Sequence, residues 1–181
     1  MVSILGICVL VLSLTNLPSG QCSTSAPIKD DDLIAKSCAQ TEYPDTCVSD
    51  LQADPRSSNV DVAGLARIML DLSVAKAKDI LSRIRQLSAG TTDRVLKRYL
   101  DGCITQYDSA VSKFLPDAIA DLQAKNYAFA RTNAGYADTG VLYCQSSFRG
   151  PPEQRKSPIT SENQAMHEVA EISAALITIL G

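Results

Sequence analysis

Between residues 62 and 87 the chain sets an apolar side chain at every third to fifth place, through Val62, Leu65, Met69, Leu72, Ala75, Ile80, Ile84 and Leu87. An α-helix gathers residues at that spacing onto one face, whereas a strand needs strict alternation. A helix of roughly seven turns with one apolar stripe is marginal alone and must bury that stripe against partners. The run closes at Ala89-Gly90, where glycine suits a helix C-terminus. Thr92 or Asp93 can cap a second helix, whose stripe is Leu96, Leu100, Cys103, Tyr107, Val111 and Leu115. Pro116 should kink or restart it, because proline offers no N–H to the carbonyl four residues back. Ile119 and Leu122 carry the stripe onward.

A third helix is expected over 127–148, with Phe129, Ala130, Ala134, Ala137, Val141, Cys144 and Phe148 as its apolar line. Gly135 and Gly140 weaken it, each by about 1 kcal/mol relative to alanine. A connector over 149–158, holding Gly150-Pro151-Pro152, leads to Ser161 and Gln164, which spell a capping box. The last helix then carries Met166, Val169, Ile172, Leu176 and Leu180. Ahead of these lie two short helical runs. One spans 28–38 and opens on Asp30, Asp31 and Asp32; the other spans 43–51, with Pro44 at a first helical position. A polar loop over 54–59 follows them. Four long helices, each hiding one stripe, stack on one another. The fold expected is all-α, an antiparallel four-helix bundle with an N-terminal helical hairpin.

A chain of 181 residues fits one such domain. Residues 4–17 form an apolar run at the extreme N-terminus, followed by Pro18-Ser19-Gly20 and polar residues. The run falls short of the ~20 apolar residues that cross a bilayer, so the mature protein is expected to have no membrane span. It reads as a secretory signal peptide over 1–26, cleaved after Cys22, Ser25 or Ala26, with the domain over 27–181. Secretion permits disulfides. Cys38, Cys47, Cys103 and Cys144 then form the framework, Cys8 lies in the leader, and Cys22 is removed or left unpaired. Four cysteines allow three connectivities, and spacing alone leaves them open. Cys103 and Cys144 lie mid-stripe on successive helices and can meet across the seam between them.

Chemistry is harder to place. There is no Cys-x-x-Cys pair and one histidine, His167, so no zinc motif is spelled and no metal is expected. No nucleophile elbow, phosphate loop or dinucleotide fingerprint occurs, and His167 stands beside Glu168 with no partner motif. A net charge of -3 argues against nucleic acid as a partner. Tyrosine is the commonest aromatic, with six copies. Tyr99 and Tyr107 fall near the buried stripe. Tyr127 and Phe129 stand at a loop-to-helix junction after Ala124-Lys125-Asn126, where aromatic side chains can anchor a protein partner. These features describe a binder without cofactor or catalytic site. An apolar-ligand carrier and a secreted hydrolase are the competing readings.

The segment Cys38-Ala39-Gln40-Thr41-Glu42-Tyr43-Pro44-Asp45-Thr46-Cys47 resembles the opening hairpin of plant pectin methylesterase and invertase inhibitors. Further matches follow in order: Asp54-Pro55-Arg56-Ser57, Cys103 with Tyr107, residues 121–130, Cys144 with Phe148, and Ser157-Pro158-Ile159-Thr160-Ser161-Glu162-Asn163. The resemblance covers 28–181. It implies pairing of Cys38 with Cys47 and of Cys103 with Cys144. It further implies a protein inhibitor that covers the substrate cleft of pectin methylesterase or acid invertase in a stoichiometric complex, in the cell wall or vacuole. Invertase inhibitors carry a Pro-Lys-Phe motif; the matching place reads Tyr127-Ala128-Phe129, which keeps the phenylalanine and loses the cation. Pectin methylesterase is therefore the target favoured by the resemblance.

Overall fold

In a computed structural model of the chain, which describes residues 30–151 and 153–181, the expected helices form in the expected order. They are α1 (Asp30–Cys38), α2 (Pro44–Ala53), α3 (Val62–Gly90), α4 (Arg94–Ser109), α5 (Leu115–Gln123), α6 (Tyr127–Ser147) and α7 (Thr160–Thr178). No strand occurs among the described residues. The leader expected over 1–26, with Cys8 and Cys22, lies outside the described residues.

Two aspartates start the first long helices. The Asp61 carboxylate accepts from the Gly64 N–H at 2.8 Å, and Asp93 accepts from Val95 and Leu96 at 2.8 and 3.1 Å. Each satisfies backbone donors that the first helical turn leaves unbonded. The fourth start is different from the capping box read at Ser161. Helix α7 begins one residue earlier, at Thr160, with Ile159 at the cap and no side-chain cap bond. The Ser161 hydroxyl donates to Glu162 instead, while Thr160 donates to the Ser157 carbonyl.

The second helix restarts at Pro116, as expected, after a local widening. Residues Ala110–Phe114 widen into one π turn, in which the Leu115 N–H bonds the Ala110 carbonyl five residues back. Helix α5 restarts with proline in its first turn, where its missing N–H costs little. So α4 and α5 form one long bundle member with a changed register.

Helix α3 packs on α4 and α7, and α6 packs on α4, α5 and α7, which closes a four-membered ring. Every contacting pair runs antiparallel. Ser73 meets Ser173 and Arg83 meets Glu162; Gln106 meets Gly140, and Asp138 meets His167. The core contains Leu65, Met69, Ile84, Leu100, Tyr107, Leu115, Met166 and Ile172, all fully buried. Between α5 and α6 it is built from small side chains, Ala118, Ala130, Ala134 and Ala137, which let the two helices approach closely.

Cys38 is bonded to Cys47 and Cys103 to Cys144, with Cα–Cα distances of 5.5 and 4.7 Å. At sequence separations of 9 and 41, chain entropy assigns them about 3 and about 4 kcal/mol. The first closes the α1–α2 hairpin, which stands against α3 and α7. Thr46 donates to Glu168 at 3.1 Å, and the Tyr43 ring meets His167 edge-on. Between α6 and α7 the connector is pinned at several points. The Tyr99 hydroxyl faces the carbonyls of Gly150, Pro151 and Glu153, and Arg155 bonds both Asp93 and the Phe148 carbonyl.

Candidate partner-binding face

The exposed large hydrophobic side chains among the described residues all lie on α6: Phe129, Tyr136, Leu142 and Tyr143. Three of them, Phe129, Tyr136 and Tyr143, stand seven residues apart. Seven residues are nearly two full turns, so the rings share one line that drifts only ~20° per step. At 1.5 Å per residue the line is about 21 Å long.

Its position on the bundle follows from what lies beside it. Gly140, one turn beyond Tyr136, backs onto α4: a Cβ there would stand 3.3 Å from the Gln106 Oε1. Asn133 donates to Asp121 of α5 at 3.0 Å. The Phe114 ring, carried by the π turn, supports the Tyr136 ring at a centroid distance of 5.4 Å. The line thus runs along the seam that α6 makes with α4 and α5. At its Phe129 end, the α5–α6 turn holds Lys125 at a φ of 61°, with Lys125 and Asn126 exposed. The left-handed conformation closes α5, letting Asn126 bond back to the Asp121 carbonyl at 2.8 Å.

The two residues singled out from sequence part company. Tyr127 is half-buried and packs on the core, while Phe129 is 66 % exposed. Phe129 therefore does not belong to the buried line of its helix, where the periodicity places it; its neighbour Ala130 is the buried one. Tyr136 and Tyr143 escape a search for buried stripes. Their signal is the sevenfold spacing of aromatics on the polar side of α6. Tyr99 and Tyr107 are buried.

A second cluster lies on the far side of α6. His167 Nδ1 is 2.7 Å from Asp138 Oδ1, and Glu171 follows His167 by one turn of α7. Burial, then the negative charges of Asp138 and Glu42, push the Glu171 carboxyl above its ordinary value. Among the described residues no hydroxyl or thiol is hydrogen-bonded to His167, so no activated nucleophile is assembled there.

A rigid, crosslinked helical bundle that turns a line of aromatic rings outward is a protein-binding module. The family model for plant invertase/pectin methylesterase inhibitors matches residues 32–176, and the chain belongs to that family of enzyme inhibitors. The chain is 32 % identical over 123 residues to the pectinesterase inhibitor of Actinidia deliciosa, covering 68 % of this chain and 66 % of that protein. To the cell wall / vacuolar inhibitor of fructosidase 2 of Arabidopsis thaliana it is 34 % identical over 126 residues, 69 % of each. In fold it is similar to a mutant form of a pectin methylesterase inhibitor from Arabidopsis, with a TM-score of 0.71 at 20 % identity, covering 82 % of this chain and 97 % of that one.

Proposed function

We propose that the mature chain, freed of a signal peptide over 1–26, is secreted to the cell wall and blocks a pectin methylesterase. It covers the substrate cleft in a stoichiometric complex. The observation that carries this reading is the aromatic line Phe129–Tyr136–Tyr143 on α6. A line about 21 Å long suits a groove that holds several units of a polymer. A pocket for a disaccharide would take in only one of its rings. Held on a rigid bundle, the rings lose little conformational entropy on docking, and large aromatics in a desolvated contact dominate binding energies.

Acid invertase is the second reading, favoured by the exposed Phe129 at the tip of the line and by the relative named for fructosidase. The cation that the Pro-Lys-Phe motif would supply is absent from residue 128, which is alanine.

Titrating the oxidised protein against a pectin methylesterase and an acid invertase in parallel, at mildly acidic pH, separates the two. The expected result is inhibition of the esterase, weakened roughly 30-fold in both Phe129→Ala and Tyr143→Ala, the loss of a hot spot worth about 2 kcal/mol. Unchanged thermal unfolding of both variants keeps the loss attributable to the surface. Inhibition of invertase that depends on Phe129 but not on Tyr143 would favour the second reading. Inhibition of neither enzyme would sink both.

A further inference from the structure

We propose that Asp138, His167 and Glu171 form a zinc site bridging α6 and α7. The three offer donor atoms that all lie within 4.8 Å of one another. Two come from one face of α7, because residues four apart on a helix stack one above the other. The third, Asp138, reaches them from α6 and is 5 % exposed, with His167 Nδ1 at 2.7 Å. On a tetrahedral zinc ion with bonds of about 2.0–2.2 Å, donors stand about 3.4 Å apart. Seating the ion parts the His167–Asp138 hydrogen bond from 2.7 Å and draws in the donor atoms that stand farther apart, within 4.8 Å, by shifts of about an ångström. His167 is already oriented by the edge of Tyr43.

The electrostatics point the same way. Asp138, nearly buried, faces the half-buried Glu171 across the seam. Among the described residues, no lysine or arginine forms an ion pair with Asp138 or Glu171; the single imidazole is their shared counterpart. Buried charges are paired or hold a metal, and a divalent cation would balance two carboxylates that otherwise share one imidazole. The donor set selects the metal. An imidazole nitrogen with two carboxylate oxygens suits zinc, whereas calcium asks for six to eight oxygens. His167 and Glu171 are partly open to solvent, which leaves water as the fourth ligand. The cysteines among the described residues are tied in disulfides and do not compete for the ion.

The site is independent of which enzyme the bundle binds, and its test needs no enzyme. The probe is zinc chloride, titrated calorimetrically at pH 7 into the oxidised protein, without a polyhistidine tag and with any free thiol alkylated. The expected result is one ion per chain with a micromolar Kd and no comparable heat from calcium. At a hundredfold excess over Kd, Tm should rise by about 5–10 °C. Glu171→Gln and His167→Gln should each weaken binding at least tenfold with helix content unchanged. Because His167 is the only histidine, its imidazole resonances give a readout that needs no variant: stoichiometric zinc must move them. Absence of binding by the unaltered protein, binding that leaves those resonances in place, or equal affinity in both folded variants would overturn the proposal.

Discussion

Asn163 shows how much one side chain holds in a bundle core. It is 2 % exposed, accepts from the Tyr107 hydroxyl at 2.7 Å and donates to Gln145 at 2.8 Å. Burial holds the Tyr107 phenol well above its ordinary pKa, so that hydroxyl is a permanent donor in need of an acceptor. Asn163→Ala leaves it stranded and should cost about 1–3 kcal/mol in urea unfolding, more than Tyr107→Phe, which removes the donor itself. The buried place of Tyr107 was legible in the sequence from its stripe. The role of Asn163 was not, because its partner lies 56 residues away and only the packing of α7 brings them together. The same reason hides the zinc donors: Asp138 and His167 are 29 residues apart. No local spacing joins them.

At the scale of elements, caps and glycines decide how well each helix holds. Asp93 starts α4, and its carboxyl is kept below the ordinary 3.8 first by the hydrogen bond from Arg155, then by the Leu96 N–H and the Val95 N–H. A depressed carboxyl contributes stability that is present above its unfolded value and lost as pH falls through the folded one. Thermal stability should therefore fall below about pH 4, and Asp93→Asn should flatten that part of the profile while lowering stability near pH 6. The two glycines of α6 have opposite characters. Nothing lies within 4 Å of a Cβ placed at Gly135, so Gly135→Ala should stabilise by about 0.5–1 kcal/mol in denaturant unfolding. Gly140 faces Gln106 at contact distance, and Gly140→Leu should force α6 from α4 and cost about 1–3 kcal/mol or more. Helix order and most boundaries could be read from the 3.6-residue period and from Gly90, Asp93 and Pro44. Pro116 announced an interruption, and the helix restarts there after one π turn, with α3 and α6 packed along both pieces. At Ser161 the pattern misled, because the preceding threonine finds its own acceptor at Ser157.

For the whole molecule, the division between core and face was less legible than the fold. A stripe search shows which residues a bundle hides, and α6 obeys it except at Phe129, where two successive apolar residues contend for one inward position and the smaller wins. The covalent wiring has a further outcome. One disulfide closes the hairpin and the other ties α4 to α6; neither reaches α7, which touches the rest of the chain covalently only through the connector over 149–158. A peptidase cut at Lys125 would leave two halves still joined through sulfur. A cut at Arg155 or Lys156 would set the whole C-terminal helix loose, held by packing alone. The bonds from Tyr99 and Arg155 that press this strap onto the bundle therefore guard the protein against peptidases, a task separate from the aromatic line on α6.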